Sequence, residues 1–288
     1  MPIREMFVAG SVPLIWAFGF IFAKAGLHEF PPLMLMGFRF CLTALLLVWF
    51  VARPAGYYLK VFQISMVSAT LQYGLTFTGL SQIDASLAII IIQLEVPFGV
   101  LSAAILLGER PGLQRLLGML VAFAGIGLIA GQPNFENQLF PMLLTASGAA
   151  MWSIGQVMVK QLNGAVGSFS LIAWVGVFSG PQMLLASWIF ENGQIEAIQS
   201  ASWVGWGAIL YLALGMTALG YGIWYAVLSR NHVSQVMPFL LLMPIFTIIL
   251  SVLILDETLG TAMIIGGITV LIGLAIITFT RSQEARTS

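Results

Sequence analysis

Between Asp84 and Glu109 the chain runs for more than twenty residues with a single ionisable member, Glu95. At about 1.5 Å of rise per residue, a helix of that length crosses a hydrocarbon layer of roughly 30 Å. A carboxylate near its middle is costly unless it is paired, protonated or turned to water. Pro97, two residues on, removes a backbone donor and is expected to bend the helix beside it. The stretch then recurs. Leu228-Ser229 follows Leu80-Ser81 by 148 positions, and Ser234 follows Ser86 and Glu257 follows Glu109 by the same interval. The proline is displaced by one place, Pro97 against Pro244, and Met243 stands where the first copy has Glu95.

Composition extends this reading to the whole chain. Of 288 residues, 59% are hydrophobic and only 8% are charged, whereas a soluble domain carries about a quarter charged residues. Net charge is zero, so there is no basic field for nucleic acid. The single cysteine, Cys41, lies in an apolar segment, can form no intrachain disulfide and reads as small core filler. The first apolar stretch holds Trp16 and Lys24 and is followed by further spans, so it reads as a retained helix and not as a cleaved signal peptide.

Apolar runs between short polar or Pro/Gly breaks give an all-α membrane protein with ten transmembrane helices, near 7–26, 32–52, 60–80, 84–107, 113–131, 139–160, 168–190, 203–228, 233–255 and 261–280. Arg4, Arg53, Lys60, Arg110, Arg115, Lys160, Arg230, Arg281 and Arg286 all fall at the termini or in alternate connections. Only Lys24 falls on the other side, together with most of the acids, among them Glu29, Asp84, Glu191 and Glu257. By the positive-inside rule both termini are expected in the cytoplasm.

The internal match reaches further. Trp16, Gly19 and Lys24 correspond to Trp152, Gly155 and Lys160 at an interval of 136, and Leu71, Tyr73 and Gly74 correspond to Leu219, Tyr221 and Gly222 at 148. Two five-helix repeats are expected, 1–131 and 139–280, followed by a cytoplasmic tail at 281–288. Five is odd, so the second repeat enters the membrane from the opposite side. Inverted repeats are a transporter architecture with the substrate near the midplane where the halves meet.

These features carry a family resemblance. Each half closes its fourth helix with Gly-Glu or Asp-Glu (Gly108-Glu109, Asp256-Glu257), and each first helix has Trp-x-x-Gly (Trp16 to Gly19, Trp152 to Gly155). The chain resembles the drug/metabolite transporter (DMT) superfamily and, within it, the EamA family, over essentially its whole length. Its overall look is similar to the YddG-type amino-acid exporters. The resemblance implies export of amino acids, other small metabolites or drugs across a bacterial inner (plasma) membrane. Family members commonly have proline directly after the Glu of the fourth helix, where this chain has Val96.

Glu95 is the sharpest candidate site residue, read either as a protonatable or ammonium-binding carboxylate, or as a carboxylate paired with Arg39 or capping backbone freed by Pro97. Arg39 reads as structural, snorkelling toward the outer face. In the eighth helix Thr217, Tyr221, Trp224 and Tyr225 share a face, and Gln72, Tyr73 and Thr76 hold the equivalent region of the third. Trp16, Trp152 and Gln156 complete a candidate substrate-binding set of aromatic faces with a few polar groups. Gln93 points away from Glu95. Gly118, Gly125, Gly127, Gly131, Gly266, Gly267 and Gly273 read as packing elements between halves or, in a homodimer, between protomers, with Gly127 and Gly131 forming the close-approach motif. His28 and His232 have no companion ligands, so neither a metal nor a cofactor is expected. There is no phosphate-binding loop for ATP-driven transport and no catalytic constellation at membrane depth. The reading is a secondary carrier for a small-molecule solute in the lipid bilayer, amino acids being the class the resemblance favours. Multidrug or lipophilic-cation efflux and a non-transporting sensor or scaffold are the alternatives.

Overall fold

The computed structural model describes residues 2–228, 230–231 and 236–279. The expected tail 281–288, His232, Ser229 and Ser234 lie outside the described residues, as does the side chain of Tyr225. The fold is helical throughout, with no strand among the described residues. Apart from a short helix at Gln194–Ser200, the helices in chain order are α1 (Ile3–Leu27), α2 (Pro32–Leu47), α3 (a continuous run from Tyr58 to Leu80), α4 (Ala85–Leu107, interrupted), α5 (Leu113–Ala130), α6 (Leu139–Lys160), α7 (Ser168–Phe190), α8 (from Trp203 to Leu228), α9 (Phe239–Ile254) and α10 (Thr261–Phe279). Eight of them are long and apolar enough to cross a membrane. The others are α9, which is shorter in its described part, and α3, which is more polar, with Lys60, Gln63 and Gln72 along it. The outer surface is apolar, with Trp49, Phe50, Trp188, Phe190 and Trp203 all largely exposed. Such a surface suits hydrocarbon with aromatic belts at its edges.

Three kinds of irregularity sit mid-bundle, two of them caused by proline. In α4 the helix breaks at Gln93-Leu94, where Leu94 and Val96 donate to carbonyls three residues back (Ile91, 2.9 Å; Gln93, 3.2 Å). Pro97 explains this at a distance, since it has no N–H for the carbonyl of Gln93, four residues earlier, and its ring crowds that carbonyl. The break therefore falls ahead of Glu95 and makes it the first residue of the second segment. Pro244 acts likewise in the second half, where Met237–Leu241 is 3₁₀ before Leu242–Ile254 resumes as α-helix. Third, α3 and α8 each widen to π-helix, over Met66–Leu71 and Tyr211–Leu219.

The helix pairs follow a rule. α5 packs on α10 and α2 on α7; α3 and α4 pack on α6, as α8 and α9 do on α1. Closest approaches occur at glycines. A Cβ on Gly19 would run into Met216 of α8, and one on Gly155 into Ser68 of α3. Between α5 and α10 the backbones nearly touch. A Cβ on Gly125 would lie 2.7 Å from the Gly266 carbonyl oxygen, and one on Gly273 would lie 2.6 Å from that of Gly118. Within the chain the Gly127-x-x-x-Gly131 motif makes no such approach at Gly127, where a Cβ meets nothing within 4 Å. The working pairs are two turns apart, Gly118 with Gly125 and Gly266 with Gly273, and they serve contact within the chain.

The two ends of the bundle are fastened differently. At one end, carboxylates reach across to open helix N-termini, which offer unsatisfied N–H groups and partial positive charge. Glu29 after α1 accepts from Ser202 N and Oγ ahead of α8, both at 2.6 Å. Glu191 after α7 accepts from Leu33 N and Met34 N in the first turn of α2, at 2.8 and 3.3 Å. Glu257 after α9 accepts from Ala85 N, Ser86 N and Ser86 Oγ of α4, at 2.6, 3.0 and 2.5 Å. Lys24 donates to the carbonyls of Leu80 and Ile83 at the C-terminal end of α3, at 2.8 and 2.6 Å. At the other end the described links are two exposed ion pairs, Lys160–Glu109 at 2.7 Å and Arg230–Glu5 at 3.5 Å, with part-buried hydrogen bonds from Ser170 Oγ to the Ala52 carbonyl and from Asn231 Nδ2 to Glu5. Solvated pairs of that kind hold weakly.

Two stability outcomes follow. Gly125→Leu must force α5 from α10 and is expected to lower the thermal unfolding temperature in detergent strongly, whereas Gly127→Leu leaves it unchanged. The second concerns Asp84, whose carboxyl is pushed above its ordinary 3.8 by burial and then by Glu257, with Lys24 pulling it partly back. A raised carboxyl pKa means that the folded state disfavours the ionised form, so the penalty exists above that pKa and vanishes below it. Asp84→Asn is expected to raise the unfolding temperature modestly at neutral pH, a gain that disappears as the pH falls through the Asp84 pKa.

Candidate functional site

Where the halves meet, the π segment of α8 sets up the polar centre. Widening the helix leaves carbonyls and hydroxyls off the regular ladder, a feature common at functional positions. Thr217 Oγ1 donates to the Leu212 carbonyl, 2.8 Å away and five residues back, while the Met216 carbonyl accepts from Trp16 Nε1 at 3.1 Å. The Trp16 ring sits against Tyr221 (5.2 Å between centroids) and Trp224 (5.8 Å). Gly19 and Gly220 make room for this docking, since a Cβ on Gly220 would collide with the indole nitrogen.

A second aromatic group lies on α2 and α3. Tyr73 stands edge-on to Phe40 (5.1 Å) and stacks with Phe77 (5.6 Å), which in turn faces Phe20 of α1 at 6.5 Å. Between the two groups lies Arg39, which the sequence reading took for a snorkelling residue. It is instead among the largest wholly buried side chains, at 1% exposure. Its Nη2 donates to Thr217 Oγ1 at 3.1 Å, and its guanidinium lies 4.7 Å from the centre of the Tyr73 ring. It makes no ion pair among the described residues, with Glu95 or any other acid.

Glu95 is accordingly not the partner of Arg39. Ser153 Oγ donates to its backbone carbonyl at 2.7 Å. Its carboxylate takes no hydrogen bond among the described residues, so it does not cap backbone around Pro97 either. It stays partly accessible. From the end of the bundle bearing Glu109, a cleft of roughly 540 Å³ runs along one stripe of α4, past Ala103, Val100 and Gly99 to Val96, the residue after Glu95. Gln93, as expected, faces elsewhere, into an apolar groove beside α9 and α10.

The other expected residues do not all converge. Trp16, Tyr73, Tyr221 and Trp224 belong to the central clusters. Gln72, next to Tyr73, is buried where α3 crosses α6, with its Oε1 unpartnered. Trp152 is partly buried and makes no ring contact of the Trp16 kind among the described residues, and Gln156 is exposed. Tyr225 is helical, its side chain outside the described residues. No group of three or more metal-ligating side chains occurs among the residues described. The sequence reading missed Arg39 as a central residue. The available signal was its position, a cation between Phe38 and Phe40 well inside an apolar run.

The chain was compared with known proteins. The model of the EamA-like transporter family matches twice, over residues 4–131 and 139–279. A probable amino-acid metabolite efflux pump of Salmonella typhimurium strain LT2 is 30% identical over 293 residues, covering 96% of this chain and 95% of that one. A protein of the same description from Escherichia coli K12 is 30% identical over 285 residues, with the same coverage of 96% and 95%. The Bacillus subtilis transporter YvbV is 28% identical over 295 residues, covering 98% of this chain and 94% of its own. A crystal structure covering 96% of this chain and 97% of its own has the same fold, with a TM-score of 0.63 at 19% identity. With its apolar spanning helices, the protein is a multi-pass protein of the inner membrane, and the family is one of transporters and not of enzymes. The chain belongs to the EamA-like transporter family.

Proposed function

We propose that the protein is a secondary carrier that exports small metabolites, amino acids including aromatic ones first among them, by alternating access. The halves 1–131 and 139–280 act as inverted repeats of five transmembrane helices each, with both termini and the 281–288 tail in the cytoplasm. Several observations support the inverted arrangement. Exchanging α1–α5 with α6–α10 leaves every pairing described above in place. The Gly19–Met216 and Gly155–Ser68 contacts are exchanged by the same operation, as are the π segments and the proline breaks. The twofold family match falls on the same two segments.

The observation that carries the transport reading is the inequality of the two ends. One is tied by carboxylates inserted into helix N-termini across the halves; the other, among the described residues, has two exposed ion pairs, the part-buried Ser170–Ala52 and Asn231–Glu5 hydrogen bonds, and a cleft along α4 that reaches Val96. This is the form of a carrier closed outside and open inside, with solute entering from the cytoplasm along α4. In this scheme Glu95 receives the ammonium group or a proton, and Trp16, Tyr73, Tyr221 and Trp224 present ring faces to the apolar part. Gln72, Trp152, Gln156 and Tyr225 take up solute contacts in the alternate arrangement, by their positions in the repeat. Two relatives described as probable amino-acid metabolite efflux pumps support the choice of solute.

The test is counter-flow of labelled amino acids in proteoliposomes, with and without a pH gradient, for the wild type and Glu95→Gln. The wild type is expected to exchange amino acids, and the substitution to abolish stimulation by the gradient while exchange persists. Transport of cationic dyes without amino-acid flux would replace this reading with drug efflux. Movement of neither would leave a membrane sensor or scaffold.

A further inference from the structure

We infer that Arg39 is the carboxylate-binding residue of the solute site, so that the carrier selects solutes bearing a carboxylate; the inference rests on the transport reading above. The guanidinium is nearly inaccessible, at 1% exposure, yet its five donors are poorly used. One bonds Thr217 Oγ1 at 3.1 Å, another approaches only the Met36 sulfur at 3.9 Å, and Nε has no partner. Thr217 cannot compensate the charge, being neutral, with its own proton committed to the Leu212 carbonyl. A buried cation without a counter-ion is one of the costliest arrangements a fold can keep.

The structural explanation is that Arg39 merely bolts α2 to α8. The second half of the molecule tests that explanation. α2 and α7 meet at three glycines, Gly37 against Leu184, Gly180 against Cys41, and Gly176 against Phe40 and Ala44. Exchanging the halves swaps the first two when Gly37 is matched with Gly180, 143 positions on, and in that register Gln182 stands at the position of Arg39. Gln182 makes the matching bolt to α3. Thr70 Oγ1 donates to its Oε1 at 2.5 Å, and its Nε2 donates to Ser65 Oγ at 3.3 Å. Thr70 lies in the π segment of α3, as Thr217 lies in that of α8. An uncharged amide makes the corresponding bonds between helices at Gln182, a partly exposed position, whereas Arg39 keeps a permanent charge where it is almost wholly buried.

The ligand that uses this charge is planar and anionic. A guanidinium fork matches a carboxylate with two parallel hydrogen bonds, and Nε, which has no partner, shares one such edge with Nη2, which gives one of its two N–H groups to Thr217. The cover is Tyr73, whose ring lies 4.7 Å over the guanidinium and is itself partly exposed. Rotation of that ring admits the carboxylate. A lipophilic cation gains nothing from such a site.

The test uses wild type, Arg39→Gln and Arg39→Lys in proteoliposomes with matched labelled solutes: amino acids, their decarboxylated amines and simple organic acids. Every solute moved by the wild type is expected to carry a carboxylate. Arg39→Gln is expected to slow its transport at subsaturating concentration by roughly ten- to a hundredfold, with Arg39→Lys intermediate. Thermal unfolding of Arg39→Gln should stay near that of the wild type, because the amide of Gln182 makes the corresponding bonds. Equal rates for wild type and Arg39→Gln, or wild-type preference for the amines, overturn the inference. Transport of organic acids without amino acids keeps the carboxylate site and overturns the amino-acid reading instead. A wild type that moves none of the panel, and whose unfolding temperature no carboxylate raises, overturns both.

Discussion

Hydrocarbon supplies no hydrogen bonds, and everything in this structure follows from how backbone groups are satisfied without water. Regular helix solves the problem along a span but not at its ends or at a proline. At one end of the bundle the solution is a set of carboxylates borrowed from the opposite half. Glu29, Glu191 and Glu257 each fill the open N-terminus of a helix far from them in sequence. The same groups that complete the helices therefore hold the halves together. Mid-bundle, where Pro97, Pro244 and the π segments disturb the ladder, freed carbonyls are met by side chains, as Trp16 meets Met216 and Ser153 meets Glu95. Local satisfaction and global architecture are one arrangement.

Much of this was legible in the sequence because it rests on period and length. Apolar runs mark the spans, and the recurrence of Trp16-x-x-Gly19 and Gly108-Glu109 marks the duplication. The proline effect was legible in kind but not in place, since a proline acts on the carbonyl four residues earlier and so breaks α4 at Gln93. The glycines that meet within the chain were not picked out by spacing, for a related reason. Gly127-x-x-x-Gly131 has the familiar spacing, but the face of α5 that meets α10 is decided by the partner helix, and it presents Gly118 and Gly125. Arg39 was misread because snorkelling is the default for an arginine near a span end, and only three dimensions show that α8 and Tyr73 close over it. The π segments have no sequence signature of comparable clarity.

The centre is thus asymmetric within a symmetric frame. Trp16 lies against Tyr221, whereas the corresponding Trp152 makes no such contact with Tyr73, which lies over Arg39 instead. Glu95 has Met243 as its counterpart, and Arg39 has Gln182. Both unpaired charges of the core come from the first half; the second supplies aromatic surface and the hydroxyl of Thr217. Duplication built the scaffold, and divergence of a few side chains placed charge in one half only.

The inequality of the ends has a thermodynamic meaning. In a carrier built of inverted repeats, the two access states are near-equivalent arrangements of one set of contacts, and a perfectly symmetric chain would occupy them equally. Every difference between the halves is then a term in the equilibrium between those states, and each 1.4 kcal/mol changes the occupancy ratio by about tenfold. In the proposed carrier, three partly buried carboxylate caps set against two exposed ion pairs would weight that equilibrium toward one resting form. In the alternating-access scheme proposed above, the empty carrier waits poised on one side of the membrane, and the caps that finish its helices also set the direction from which it most often begins a cycle.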